Sequence, residues 1–272
     1  MVRKRSRQKS ARSSGARGTP ESPLLFGLHA VRAALANPAR RHFRLYATRE
    51  AIEALAEGAG SWPEAGRKAL ETAKPMERAE ISARLTEGAV HQGAALEAAP
   101  LPDPGLESLD PAMRHGAGPK ASNDGPVIVL DQVSDPHNIG AILRSAAAFG
   151  AAALIMQSRH APPPTGALAK AASGALEAVP LITVTNIARA LDDLKAMGYW
   201  VAGLDAAGET PLAEALDRTP LVIVLGAEGS GLRRLTAERC DLLARIPMTD
   251  TIASLNVSNA AAVTLYEASK NS

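Results

Sequence analysis

The second half of the chain alternates short apolar segments with amphipathic ones, and this alternation constrains the fold more than any other feature. Apolar runs with turn residues around them predict strands at 127–130, 152–156, 179–184, 199–204, 221–225 and 242–246. Helical periodicity between and after them predicts helices at 139–149, 187–197, 232–239 and 256–270. Nearly all-apolar strands separated by helices are typical of a parallel sheet that is covered on both faces. We therefore expect an α/β fold with a ligand site at the C-terminal ends of the strands.

The length and composition allow one or two structural units. The chain has 272 residues, 46% of them hydrophobic, which is enough for one large or two modest cores. Residues 23–99 predict a small α/β domain, with helices at 28–35 and 50–56 and a strand at 43–47. Residues 100–125 are rich in Pro, Gly, Asp and Ser and predict a linker. The parallel-sheet domain then occupies residues 126–272.

The N-terminus is a basic arm, which we place at residues 1–22. Residues 1–20 hold seven Lys or Arg and no acid, while the rest of the chain has 23 basic and 28 acidic residues. Such a Ser- and Gly-rich segment predicts a disordered arm that is attracted to polyanions such as RNA. A solubilising tail and an organelle transit peptide are the alternatives.

Several classes of protein are disfavoured. We find no apolar run long enough to span a membrane and no apolar segment typical of a secretory signal. The single cysteine, Cys240, cannot form an internal disulfide, and the absence of CxxC and HExxH patterns predicts no metal site. We therefore expect a cytoplasmic protein without a membrane partner, with organelle import through the basic arm left open.

The loop after the first strand of the C-terminal half combines turn residues with an unexpected charge. It contains Asp135-Pro136-His137-Asn138, and Arg144 follows within an apolar helix. Asp135 or Asn138 can cap the helix, which by itself explains the turn. Helical side chains lean toward the N-terminus, so we expect Arg144 to reach back toward Asn138 and to bind a phosphate or an oxyanion. A surface arginine is the alternative.

Two further loops follow apolar strands. Gly226-Ala227-Glu228-Gly229-Ser230-Gly231 has glycines that allow close approach of a ligand to the backbone, with Glu228 facing a polar or cationic group. An exposed acid in a tight turn is the alternative. The loop from Ile246 to Asn259 has more hydroxyl and amide groups around Ser254 and Asn256 than a helix cap requires, which indicates a binding surface.

Taken together, the three loops resemble the signature motifs of the SpoU (TrmH-type) RNA ribose 2′-O-methyltransferases of the SPOUT superfamily. The matching segments are Asp135-Pro-His-Asn138-x-Gly140-x-x-x-Arg144-Ser145, Gly226-Ala-Glu228-Gly-x-Gly231, Ile246-Pro-Met248 and Ser254-Leu-Asn256-Val-Ser258. Phe26-Gly-Leu-His29-Ala-Val31 and Glu87-Gly-Ala-Val-His-Gln-Gly93 look like the substrate-binding domain of those members that methylate a guanosine of 23S rRNA.

The resemblance implies a deep trefoil knot in the C-terminal domain, a homodimer, and an N-terminal domain of the L30e-like type that binds RNA. It implies S-adenosylmethionine as methyl donor, held by Leu225, Gly226, Ile246, Met248, Ser254 and Leu255, and no metal. It implies catalytic roles for Asn138, Arg144, Glu228, Ser254 and Asn256. Arg144, His29 and Lys170 are candidate RNA contacts, although Lys170 can equally be a solvated helix residue and a lone histidine is more often structural or exposed.

The implied reaction is methylation of a ribose 2′-hydroxyl in RNA, with a guanosine of 23S rRNA as the expected substrate. A guanidinium is effectively always protonated, so we expect Arg144 to stabilise the forming alkoxide or to bind the adjacent phosphate instead of acting as a base. A tRNA substrate and a non-catalytic rRNA-binding assembly factor are the alternatives. A Rossmann dehydrogenase is disfavoured because the chain lacks GxGxxG.

Overall fold

The computed structural model describes residues 24–114, 125–159, 161–164, 166–249, 251 and 254–270, so the predicted basic arm lies outside the described residues. The strands are β1 (Leu24–Phe26), β2 (His42–Ala47), β3 (Ala94–Ala98), β4 (Val127–Asp131), β5 (Ala153–Gln157), β6 (Leu181–Val184), β7 (Trp200–Leu204), β8 (Thr210–Pro211), β9 (Leu221–Gly226) and β10 (Leu242–Arg245). The α-helices are α1 (Leu28–Ala36), α2 (Arg49–Ala56), α3 (Glu64–Glu71), α4 (Arg78–Ser82), α5 (Pro111–Arg114), α6 (Pro136–Ala148), α7 (Ala167–Ala172), α8 (Ile187–Ala196), α9 (Leu212–Ala215), α10 (Arg234–Ala237) and α11 (Val257–Ser269). None of these helices combines the length and the apolar character needed to cross a membrane.

A seven-stranded sheet forms the C-terminal half, and it confirms the predicted α/β fold. The strand order is β6-β5-β4-β9-β7-β10-β8, and every neighbouring pair is parallel. The central strands β4 and β9 pair in register from Val127 with Val222 to Asp131 with Gly226. Their C-terminal ends therefore lie side by side at one edge of the sheet.

Helices cover both faces of this sheet, as the apolar pattern predicts. Ile128 and Leu130 of β4 belong to the core under α6 and α11, whereas Val127 and Val129 belong to the core under α8. Successive residues of a strand point to opposite faces, so a strand that is buried on both sides must be apolar at every position. The fully buried Asp131 is the exception in β4.

Some predicted boundaries were wrong. The strand expected at 179–184 begins at Leu181, because residues 175–177 form a 3₁₀ turn and Pro180 has no N–H to donate. The helix expected at 232–239 is the short α10, because Arg233 has an extended backbone and gives its N–H to Asp131. In the N-terminal unit the prediction missed β1, β3, α3 and α4, which complete a small sheet of order β1-β3-β2.

The N-terminal unit packs against the C-terminal half through a buried ion pair. Arg40 and Glu177 lie 2.5 Å apart, and both side chains are less than a tenth exposed. Asn37 donates a further hydrogen bond of 2.7 Å to Glu177. The described part of the predicted linker also packs on the sheet, since Asp103 accepts hydrogen bonds from the Thr183 backbone and hydroxyl at 2.9 and 2.7 Å. Burial alone would raise the pKa of Asp103, but these bonds and one from the Gly105 N–H outweigh it and lower the pKa.

Candidate active site

Polar side chains from three loops meet at the C-terminal edge of the sheet. Asn138 lies in the first turn of α6, Glu228 lies in the glycine-rich loop after β9, and Asn256 precedes α11. Asn138 Nδ2 donates to Glu228 Oε1 at 3.3 Å, and Asn256 Nδ2 donates to Asn138 Oδ1 at 3.1 Å. Asn256 Nδ2 also donates to Glu228 Oε1. The structure thus brings these three predicted catalytic residues together, and we call them the polar cluster.

Helix caps hold two members of the polar cluster in place. Asp135 caps α6 by accepting from the His137 N–H at 2.9 Å, with Pro136 at the first helical position, which orients the turn that carries Asn138. Asn256 caps α11 by accepting from the Ser258 N–H at 2.9 Å through Oδ1. Since the cap uses the oxygen, the amide group of Asn256 is left to donate to the cluster.

The glycine-rich loop closes tightly and fixes Glu228. A Cβ on Gly226 would lie 2.2 Å from the carbonyl carbon of Gly231, so no side chain fits there. Gly229 and Gly231 have φ values of +77° and +64°, a region that favours glycine. The Val257 N–H donates to Glu228 Oε1 at 3.3 Å. This oxygen therefore accepts from three donors, and Oε2 accepts from none among the described residues.

An ion pair with a buried carboxylate links the first two loops. Asp131 ends β4 with no solvent exposure, and it accepts from the Arg233 N–H at 3.0 Å and from Nε at 2.7 Å. Arg233 Nη2 lies 2.6 Å from the same carboxylate. An unpaired carboxylate at this depth would be strongly unfavourable, so the pair ties the end of β4 to the residues after the glycine-rich loop. The sequence analysis missed this pair, although an acid at the end of an apolar strand was its visible signal.

A recess of about 120 Å³ opens beside the polar cluster, at the ends of β7 and β10. Ile246, Met248, Ser254 and Leu255 line it, as do other residues: Leu204, Asp205, Ala206, Ala244 and Ala260. The structure thus brings together four of the residues expected to hold the cofactor. Leu225 and Gly226 do not line the recess, because Leu225 is buried in the core and Gly226 closes the loop against Gly231.

Asp205 is a charged residue of the recess that the sequence analysis missed. It follows β7, which pairs with both β9 and β10, so its loop lies at the same sheet edge as the predicted ones. Asp205 Oδ1 accepts from the Ala207 N–H at 2.8 Å, and Oδ2 accepts from no described residue. An apolar recess with one available carboxylate suits a ligand that has both an aromatic ring and hydroxyl groups.

Arg144 and Ser254 lie apart from the polar cluster. Arg144 is exposed on α6, and no hydrogen bond or ion pair joins it to Asn138 or to any other described residue. Six residues along an α-helix correspond to about 240° of rotation, so the expected reach back to Asn138 within one chain was wrong. Ser254 faces the recess, where it is placed to contact a ligand and not the cluster.

The remaining candidate RNA contacts lie at the boundary between the two halves of the chain. His29 is exposed on α1 and lines an open recess of about 950 Å³ together with Arg144 and Asn259. Lys170 is half-buried on α7, and its Cγ lies about 3.5 Å from where a Cβ of Gly27 would be. Arg144 and His29 thus share one surface, whereas Lys170 packs against the N-terminal unit.

The sequence of the sheet domain matches a known family. Residues 125–266 match the SpoU rRNA Methylase family, and they include all three loops of the site. The chain belongs to this family. It is 39% identical over 249 residues to the 23S rRNA (guanosine-2′-O-)-methyltransferase RlmB of Pseudomonas syringae pv. tomato, covering 90% of this chain and 94% of that protein. It is 38% identical to the protein of that name from Pseudomonas putida, with the same coverage.

Solved structures of SpoU methyltransferases share the fold. The SpoU methyltransferase AviRb from Streptomyces viridochromogenes, in complex with AdoMet, superposes with a TM-score of 0.68 over 91% of this chain and 89% of that chain. The sequence identity is 23%, so this likeness concerns the fold alone. Because it spans most of both chains, it includes the N-terminal unit as well as the SpoU domain.

Proposed function

We propose that this SpoU family member transfers a methyl group from S-adenosylmethionine to a ribose 2′-hydroxyl of RNA, and that its substrate is a guanosine of 23S rRNA. The observation that carries the proposal is the polar cluster of Asn138, Glu228 and Asn256 beside an apolar recess at the sheet edge. The substrate class rests on relatives named as 23S rRNA guanosine methyltransferases that align over 90% of this chain.

The recess beside the cluster is the proposed site for the methyl donor. Ile246, Met248 and Leu255 would contact an adenine ring, and Asp205 Oδ2 and the Ser254 hydroxyl would hydrogen-bond to polar groups. S-adenosylmethionine supplies a methyl group on a sulfonium, which is already activated for attack by an oxygen nucleophile. Transfer of the methyl group leaves the sulfur as a neutral thioether and releases the hydroxyl proton. The protein therefore has to hold the hydroxyl in line with the methyl group and to provide an acceptor for that proton.

The polar cluster is the proposed site for the ribose hydroxyl. Among the described residues, every hydrogen bond to the Glu228 carboxylate goes to Oε1. Oε2 is therefore placed to accept a hydrogen bond from the hydroxyl, and then its proton as the methyl group is transferred. The amide groups of Asn138 and Asn256 fix the carboxylate. We assign Arg144 the role of binding a phosphate or stabilising the alkoxide, since a guanidinium does not readily accept a proton.

We also propose the assembly that the family resemblance implies, which is a homodimer with a trefoil knot in the sheet domain and an L30e-like RNA-binding N-terminal unit. Val263 and Tyr266 of α11 are 42% and 54% exposed, and apolar surface of this kind is what a dimer interface covers. A second copy against α11 would also bring further groups toward Arg144, which shares a recess with Asn259 of that helix. The single cysteine agrees with a cytoplasmic location.

Mapping of 2′-O-methylated nucleotides tests the proposed function. RNA from a strain that lacks the gene is compared with RNA from the same strain complemented by the wild-type gene or by an Asn138→Ala variant. We expect one guanosine of 23S rRNA to lose its 2′-O-methyl group in the deletion strain and to regain it only with the wild-type gene. Loss of a tRNA methyl group instead would overturn the substrate, and unchanged methylation of all RNA would overturn the activity.

A further inference from the structure

A second recess opens at the same edge of the sheet, on the side of β5 and β6. Its volume is about 320 Å³, and its lining includes Gln157, Thr185, Asn186, Arg233, Arg234 and Leu235. Two of these described lining residues carry a guanidinium and none carries a carboxylate. We call it the arginine recess. Ligands of parallel α/β folds bind beyond the C-terminal ends of the strands, where this recess lies.

The arginine recess is connected to the polar cluster by the sequence and by one ion pair. Arg233 follows Glu228 by five positions and is bound by Asp131, the last residue of β4. Asp131 in turn leads into the loop that carries Asn138. A ligand in the recess would therefore lie against the residues that directly follow the glycine-rich loop.

The charges in the arginine recess are arranged to meet an anion. The guanidinium of Arg233 is fixed by the buried Asp131, which reduces the entropy lost when it binds a ligand. Arg234 is 77% exposed, and among the described residues its ion-pair partner is Glu238, four residues on, at 2.5 Å. The N-terminal end of α8, capped by Asn186, adds partial positive charge at the same recess.

The rest of the lining suits a nucleoside. Leu235 is 54% exposed beside the arginines and offers an apolar surface to a base or a sugar. Asn186 uses Oδ1 to cap α8, so its amide group is left to donate to an acceptor. Guanidinium groups for a phosphate, an apolar contact and amide donors together match a nucleotide of a single strand.

We propose that the arginine recess holds a nucleotide of the RNA strand next to the methylated one, with its phosphate on Arg234. The proposal rests on the proposed function, because it names the RNA substrate of the same enzyme. An RNA strand held on both sides of the glycine-rich loop is fixed in position across the polar cluster. Arg234 is then a positioning residue for the substrate.

Salt-dependent RNA binding tests this proposal. Affinity of the full-length protein for a 23S rRNA transcript is measured from low to moderate salt for wild type, Arg234→Ala and the matched control Arg239→Ala. Arg239 is 51% exposed and paired with Asp192, but it does not line the recess. We expect Arg234→Ala to weaken binding about fivefold and to lower the slope of log K against log salt by about one, as for one lost phosphate contact. Arg239→Ala should leave both unchanged.

A second variant is expected to change the RNA affinity in the opposite direction. Glu238→Gln removes the partner of Arg234, so we expect RNA affinity to rise about twofold while the affinity for S-adenosylmethionine stays unchanged. Equal effects of Arg234→Ala and Arg239→Ala, or an unchanged salt slope, would overturn the proposal. If the wild-type protein transfers no methyl group to any RNA, the proposed function fails, while the salt slopes still decide whether the recess binds RNA.

Discussion

The side-chain amide of Asn256 donates a hydrogen bond to Asn138 Oδ1 at 3.1 Å, although 118 positions separate the two residues in the sequence. Asn256 also caps α11 through its own Oδ1. Asn256 thus both caps the last helix and helps to fix Glu228 within the polar cluster. The two roles use different atoms of the same side chain, so substitution can separate them.

An Asn256→Asp variant should keep the cap and lose the amide donor. Aspartate caps helices as well as asparagine does, so we expect the free energy of unfolding to change by less than about 1 kcal/mol. A second carboxylate beside Glu228 removes a donor and adds repulsion, so kcat should fall by about a hundredfold or more. Steady-state methyl transfer and urea unfolding measure the two effects.

The control for this prediction is Asn256→Ala, which removes both roles. We expect a similar loss of kcat together with a loss of about 1 kcal/mol in the free energy of unfolding. If Asn256→Asp retains wild-type kcat, the amide donor is not needed for the reaction, and the proposed role of the polar cluster is wrong.

Arg144 should act as a fixed cation. An Arg144→Lys variant keeps a positive charge but loses the planar fork, so we expect it to retain part of the activity, with a pH profile parallel to that of the wild type. Arg144→Ala should lose more activity at every pH. Rates of methyl transfer between pH 7 and pH 10 provide the comparison. If the activity of the lysine variant instead recovers at high pH, as the lysine deprotonates, this would favour a general base at this position.

The buried pair of Arg40 and Glu177 should determine how firmly the N-terminal unit is held. Glu177→Gln leaves the buried guanidinium without a counter-charge, which costs about 3 kcal/mol of unfolding free energy. The double variant Arg40→Met with Glu177→Met removes both charges and should recover much of that loss. Urea unfolding of all three proteins tests this. A Glu177→Gln variant within about 1 kcal/mol of wild type would show that the pair contributes little.

Acid should destabilise the N-terminal unit through His91. Its Nδ1 accepts the Gly93 N–H at 3.2 Å, so the folded state holds the ring neutral, and burial, with a smaller effect of Arg78, lowers the pKa of His91. The unfolded state then binds a proton more readily, with a pKa of about 6.5, so stability that is present above this pH is lost as pH falls below it. Thermal unfolding at pH 7.5 and pH 5.5 should show a drop in Tm.

The matched variant for this prediction is His91→Asn, which keeps an acceptor near the position of Nδ1 but does not titrate. We expect its Tm to change less between the two pH values than that of the wild type. An equal change in both proteins would assign the acid sensitivity to other groups.

The sequence predicted the sheet and the loops because these depend on local patterns. The strand at 127–130 is apolar at every position, and a strand buried on both faces requires that. The three loops could be placed at one edge because the C-terminal ends of parallel strands lie on the same side. The polar cluster follows from that placement.

Other parts of the site depend on strand order, which local patterns do not contain. The sequence does not show that β7 lies between β9 and β10, so Asp205 was missed although its loop belongs to the same edge. Predicting where the Arg144 side chain points also requires knowing how α6 is rotated about its own axis relative to the sheet, which the sequence does not give. Asp131 was visible as a charge at a strand end, but its partner Arg233 lies 102 positions away.

The central claim is transfer of a methyl group to a ribose hydroxyl, and alkaline hydrolysis tests it most directly. Purified protein is incubated with a 23S rRNA transcript and S-adenosylmethionine that carries a labelled methyl group, and the RNA is then hydrolysed with alkali. A 2′-O-methyl group blocks cleavage of the next phosphodiester, so the account predicts label in alkali-stable dinucleotides that begin with guanosine. Label in mononucleotides would show methylation of a base and would contradict it, as would RNA without label.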